Sequence, residues 1–242
     1  MILLYEAVYG FRYIVARPSL LGLQTIAFIS NIFGGIFFAL MAPMILARTS
    51  NNELILGSVQ SVAASGVIVG ALVLTAWGGF KRRVHGILLG YVVAGLFGCV
   101  VMGLRFGLPV WLAGAFVATF VIPMVMGSTQ AIWQSKVAPD VQGRVFASRR
   151  LIAWSSQPIT PIVAGLLADR WLEPAMQATG GIAQFWSPLV GTGPGAGMAI
   201  LMIVCGLATA TVGIVAYFVR VVRDAELLLP DHGGALGSNS SS

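Results

Sequence analysis

The stretch "PSLLGLQTIAFISNIFGGIFFALMAPMILA", Pro18 to Ala47, contains no Asp, Glu, Lys or Arg. A transmembrane helix needs about 20 mostly apolar residues, so this run alone is long enough to cross a bilayer. Further charge-free runs extend over Leu54–Phe80, Val84–Leu104, Phe106–Ser135, Leu151–Ala168 and Pro174–Val219. The last opens with a Gly- and Pro-rich portion and turns continuously apolar only near Ala196. Irregular backbone cannot face lipid, so helices are the economical reading of such uniform runs. The pattern predicts an all-α integral membrane protein with six spans, near 20–47, 55–80, 84–104, 108–133, 148–168 and 196–219. Residues 1–19 form a lead-in segment, 20–223 the bundle, and the Gly/Ser-rich stretch 224–242 a disordered tail. The fifth span is the shortest and carries Pro158 and Pro161, which predict a kink.

Composition excludes a soluble domain. Of 242 residues, 57% are hydrophobic and 9% charged, and mean hydropathy is +0.90, whereas soluble domains carry about 25% charged residues. The net charge of +6 is therefore read by position. With six spans, one side holds Arg12, Arg17, Lys81, Arg82, Arg83, Lys136, Arg144, Arg149, Arg150, Arg220 and Arg223; the other holds Arg48, Arg105 and Arg170. Short loops rich in Lys and Arg stay in the cytoplasm, so both termini are expected there. The basic loop "QSKVAPDVQGRVFASRR" (Gln134–Arg150) is then chiefly a topology and headgroup signal. It lacks the interleaved aromatics of a nucleic-acid platform, and no nucleic-acid partner is expected.

Residues 1–19 place Glu6 and Arg12 where a signal peptide has its apolar core. Leu4, Val8, Phe11 and Val15 could instead line one face of a short helix on the membrane surface. Cys99 and Cys205 both fall within apolar runs, which gives no disulfide framework. Gly86, Gly90, Ala94 and Gly98 recur every four residues, and Gly66 and Gly70 form a second small-residue pair. Such stripes let helices approach closely in lipid.

No ionisable side chain is expected mid-span. Asp169 reads as a helix-end group beside Arg170. His85 and His232 have no neighbours at metal-ligand spacing, and no Ser-His-Asp set or paired carboxylates suggest an enzyme. Neutral polar residues inside spans therefore carry the site reading: Gln24 and Asn31 on one face of the first helix, Gln130 near the inner end of the fourth, and Gln157 before the prolines. Two roles fit each of them, interhelical hydrogen bonding or lining a cavity. "GTGPGAG" (Gly191–Gly197) lacks the Gly-Lys-Ser/Thr ending of a phosphate loop and reads as an outer turn. In the loop after the fourth span, Asp140 is a candidate helix cap. Arg144, four residues on, is placed to pair with it, and Gly143 would allow a close backbone approach.

Several stretches resemble major facilitator superfamily transporters of the multidrug and macrolide-efflux-like branch. They are "EAVYGFRYIVARPSLLGLQ" (Glu6–Gln24), "WGGFKRRVHG" (Trp77–Gly86), "APDVQGRVFASRR" (Ala138–Arg150), "GLLADRWLEPAM" (Gly165–Met176), "GTGPGAGMA" (Gly191–Ala199) and "VRDAELLLPDH" (Val222–His232). Trp77-Gly78-Gly79 replaces the acidic step that the family usually has before its basic loop. The resemblance covers the C-terminal six of the family's usual twelve helices. It implies half of a secondary transporter that exports small amphipathic, drug-like molecules by alternating access, with proton coupling. It also implies residence in the cell membrane, a partner N-terminal six-helix half in the same or a separate chain, no cofactor, and no transport by this half alone. Lys81, Arg82, Arg83, Asp140, Gly143 and Arg144 would then belong to the cytoplasmic gate. The rival reading is a non-transporting membrane subunit or remnant packed against partner helices.

Overall fold

A computed structural model describes residues 2–177 and 181–228. The tail 229–242, with His232, and the side chains of Leu4 and Val8 lie outside the described residues. The protein is an all-α membrane protein. Five helices are long and apolar enough to cross a bilayer: α2 (Pro18–Arg48), α3 (Glu53–Trp77), α4 (Arg83–Gly103), α5 (Leu108–Lys136) and α9 (Ala196–Phe218). A short α1 (Ile2–Val15) precedes them. Between α5 and α9 the chain forms α6 (Gln142–Trp154), α7 (Thr160–Leu167, continued by a wide turn to Gln177) and α8 (Gly181–Val190).

Local chemistry explains the boundaries. Pro18 opens α2, where a missing N–H costs nothing. The Asn52 side chain caps α3 by accepting from the N–H groups of Leu54 and Ile55, at 3.1 and 3.2 Å. That helix stops at Gly78, whose φ of +79° is the left-handed conformation glycine adopts freely. Inside α4, Ala94–Val100 widens into a π turn.

The predicted fifth span departs from a single kinked helix. It is two helices separated by the turn at residues 155–159. Pro158 has no N–H for the Trp154 carbonyl, which accepts instead from Gln157 N at 3.0 Å. Pro161 likewise leaves the Gln157 carbonyl without its helical donor, and Thr160 Oγ1 reaches it at 3.3 Å. Two proline gaps three residues apart interrupt the ladder rather than bending it. The expected tail from residue 224 also differs: Ala225–Leu228 is a helical turn, and Ala225 is fully buried.

The glycine stripes mark the tightest seams. A methyl on Gly66 or Gly70 of α3 would strike the α5 backbone, at Phe116 O (2.6 Å) and Phe120 O (2.1 Å). Gly86, Gly90 and Gly98 of α4 similarly abut Ser128, Val125 and Ala118 of α5. The helix α9 backs on to α2 and α4, and three apolar clusters fill the bundle. At the cation-rich end, α1 packs along α6, and Lys136, only 5% exposed, donates to the Glu226 carbonyl at 2.7 Å. His85 and Tyr217 stack and hydrogen-bond nearby. At the opposite end, Arg48 donates to the Val190 carbonyl and Glu173 accepts from Met198 N.

Candidate functional site: a cavity between the helices

A cavity of about 1000 Å³ lies among α2, α4, α5, α6 and α7, with α9 reaching it through Thr209. Sites for small molecules occupy roughly 300–1,000 Å³ and are mostly apolar with a few polar groups, which describes this one. Gln24, Asn31, Gln130 and Gln157 all line it, as does Pro161.

The two roles open for the polar residues coincide at α2. Gln24 is buried and donates to the Arg149 carbonyl at 3.3 Å. Asn31 donates to the Ala153 carbonyl at 3.5 Å. The Ala153 carbonyl is available because Gln157 N is turned to Trp154 instead. Thus the helix break exposes a backbone acceptor, and a side chain seven residues beyond Gln24 takes it. Gly35 permits the close approach of α2 to α7, since a methyl there would meet Thr160 Oγ1 at 2.7 Å.

Charge enters the cavity through residues at the junction of the basic loop and the predicted fifth span. The loop after α5 is short, and α6 begins at Gln142. Arg149 and Arg150 therefore sit two turns inside a helix, on the cavity wall. Arg149 Nη1 donates to Gln130 Oε1 at 3.2 Å, and its guanidinium carbon lies 5.2 Å from the Trp133 ring centroid. Tyr91, from α4, completes this corner. The helical phase of 142–150 was the signal available in sequence; charge density concealed it.

The loop candidates are arranged differently from expectation. The N-cap of α6 is Val141, without a side-chain cap bond, so Asp140 does not cap it. Asp140 and Arg144 do not pair with each other, and Arg144 lies 5.8 Å from the Tyr9 ring centroid on α1. The Arg144 side chain extends toward α1, which packs along α6. Gly143 has nothing within 4 Å of an added methyl, so no neighbour requires glycine there. Asp169 and Arg170 are both exposed and form no ion pair with each other. Lys81 and Arg82 are exposed, whereas Arg83 turns inward and donates to the Ala131 carbonyl at 2.9 Å. Beside them, the Arg223 side chain hydrogen-bonds Asp224 at 3.1 Å and holds its carboxyl below the usual range.

No protein-family model matches the chain, and no solved structure matches it. It is similar to macrolide efflux protein A of Streptococcus pyogenes, 25% identical over 154 residues. The protein of the same name from a second strain of that species gives the same figures. The match spans 62% of this chain but only 38% of the length of these curated relatives.

Proposed function

We propose that this chain is the C-terminal six-helix half of a major facilitator-type secondary transporter that exports small amphipathic molecules. The carrying observation is the cavity. It is large, predominantly apolar, studded with Gln24, Asn31, Gln130 and Gln157, and walled on one side by a broken helix. Distant similarity to a macrolide efflux protein supports the same reading. Transporter sites lie at discontinuous helices, where freed backbone groups meet a cavity. The α6–α7 break at Pro158 and Pro161 is the natural moving element, because two half-helices can tilt separately around it. The cation bias supports a cell-membrane protein with both termini on the cytoplasmic side.

No Asp or Glu among the described residues lines the cavity. A coupling proton would therefore be carried on a carboxylate of the partner six-helix half, and this half alone binds without pumping. The gate assigned to Lys81, Arg82, Arg83, Asp140, Gly143 and Arg144 would close the cation-rich end through α1 and α6, not through an Asp140–Arg144 brace.

Purified chain in liposomes tests this. It should bind a fluorescent amphipathic dye saturably, and Gly34→Trp should abolish that binding. Gly34 lines the cavity and has open space around it, so the indole would fill the site. Under an imposed pH gradient the chain alone should accumulate no dye. Concentrative uptake by the chain alone would refute the half-transporter reading, and dye binding untouched by Gly34→Trp would refute the site.

A further inference from the structure

Among the described residues, the cavity is lined by two cations and no anion. Arg149 and Arg150 line it, and neither makes an ion pair with a carboxylate among the described residues. Arg149 is anchored from several sides by Gln130, the Trp133 ring and, through its own carbonyl, Gln24. Gln130 and Trp133 orient the guanidinium, and no carboxylate among the described residues pairs with it. A cation drawn out of water without a counter-charge is costly, and such groups inside a span mark ligand paths. On the Tyr91 side of this corner, Ser30 is 4% exposed and its hydroxyl has no hydrogen-bond partner among the described residues. It lies near Tyr91, without hydrogen-bond geometry. Beyond this corner the wall is apolar, with Phe37, Phe38, Val125, Met126 and Trp154.

We infer that the cavity takes amphipaths bearing one anionic group, a carboxylate, sulfonate or phosphate, docked on Arg149 and Arg150 with the apolar body along Phe37 and Phe38. The inference rests on the cavity being a substrate site and narrows the substrate class away from cationic drugs. Arg149 is the specificity-determining residue, because its planar fork meets a carboxylate with two parallel hydrogen bonds. Arg150, more exposed, adds attraction at the rim.

The test uses the full chain in phosphatidylcholine nanodiscs and three probes sharing a dansylaminoundecyl body. One ends in a carboxylate, one in its methyl ester and one in trimethylammonium. Dansyl emission reports the dissociation constant. The carboxylate should bind about ten-fold tighter than the ester, the scale of a charge-assisted hydrogen bond, and the cation should bind weakest. Arg149→Gln should bring the carboxylate-to-ester ratio of dissociation constants to about one, while circular dichroism of the variant in nanodiscs reports that it is folded. Arg149→Lys should restore part of the carboxylate's advantage.

Equal binding of carboxylate and ester would overturn the anion assignment while sparing the cavity. So would discrimination that survives Arg149→Gln with Arg150→Gln. If adding phosphatidylglycerol displaces the carboxylate probe completely, the corner is a lipid-headgroup site and the inference is wrong. If no probe saturates, the cavity reading falls together with it.

Discussion

Replacing Gly95 with Ala should destabilise the bundle, and the size of the effect follows from one seam. Gly95 lies in the π turn of α4, against α9. A methyl there would meet Gly206 O at 2.3 Å, Ala210 N at 2.8 Å and Ala210 Cβ at 3.0 Å. Ordinary contact begins at 3.4 Å, so α4 and α9 must part by roughly 1 Å. The obstacle is backbone, which has no rotamer to yield. The reciprocal contact is equally close, because a methyl on Gly206 would meet Gly95 O at 2.6 Å. Overpacking of this kind costs about 1–3 kcal/mol, and parting the seam forfeits neighbouring close contacts in a medium where packing drives association. Against this, Gly→Ala inside a helix gains about 1 kcal/mol. The net expectation is a loss of up to about 2 kcal/mol, with the forfeited seam contacts keeping it above zero. Gly34→Ala is the control: it stands inside α2 with nothing within 4 Å, so it keeps the propensity gain without the clash. Unfolding by dodecyl sulfate titration of purified protein in micelles, followed by circular dichroism, measures both. The signs should be opposite. A Gly95→Ala midpoint at or above the parent's would refute the reasoning.

Other seams and surfaces make further predictions. Lys136→Met removes the donor to the Glu226 carbonyl. A part-buried acceptor left unpaired costs about 1 kcal/mol or more, so amide exchange across 222–226 should accelerate about five-fold, and unchanged exchange would contradict a stabilising role for this bond. Ser187→Cys, at the end opposite the cation-rich loops, should react with an impermeant maleimide only from outside the cell. Labelling only from the cytoplasmic side would invert the proposed topology.

The all-α membrane architecture was legible because the absence of charge over 20 or more residues is a one-dimensional property. The site was legible only in part. Gln24, Asn31, Gln130 and Gln157 drew notice because neutral polar groups are conspicuous in apolar runs. Which of them meet depends on helix phase and on α2 crossing α6, which no spacing within one run encodes. Arg149 was hidden for a different reason. Charge density made 134–150 look like one long loop, yet α6 begins at Gln142 and carries the arginine up into the bundle. The prolines announced a disturbance. Whether it was a bend or a break depended on which donors reach the released carbonyls, Thr160 from three residues along the chain and Asn31 from α2.

That break has a consequence for how the protein is made. During synthesis a segment partitions into the bilayer by its own hydrophobicity, over about 20 residues. Here α6 has 13 residues and α7 has 8, and α6 contains Arg144, Arg149 and Arg150. An arginine at a helix centre costs about 2.5–3.5 kcal/mol on insertion. Residues 142–177 should therefore fail to integrate alone and should depend on α2, whose Gly35 face receives Thr160. In a microsomal glycosylation assay, the isolated segment should insert poorly and gain insertion when α2 precedes it. Efficient insertion by itself would contradict this order. Assembly of the cavity wall would then be the last step of biogenesis, because the helix that bears Arg149 can enter the membrane only against a partner already there.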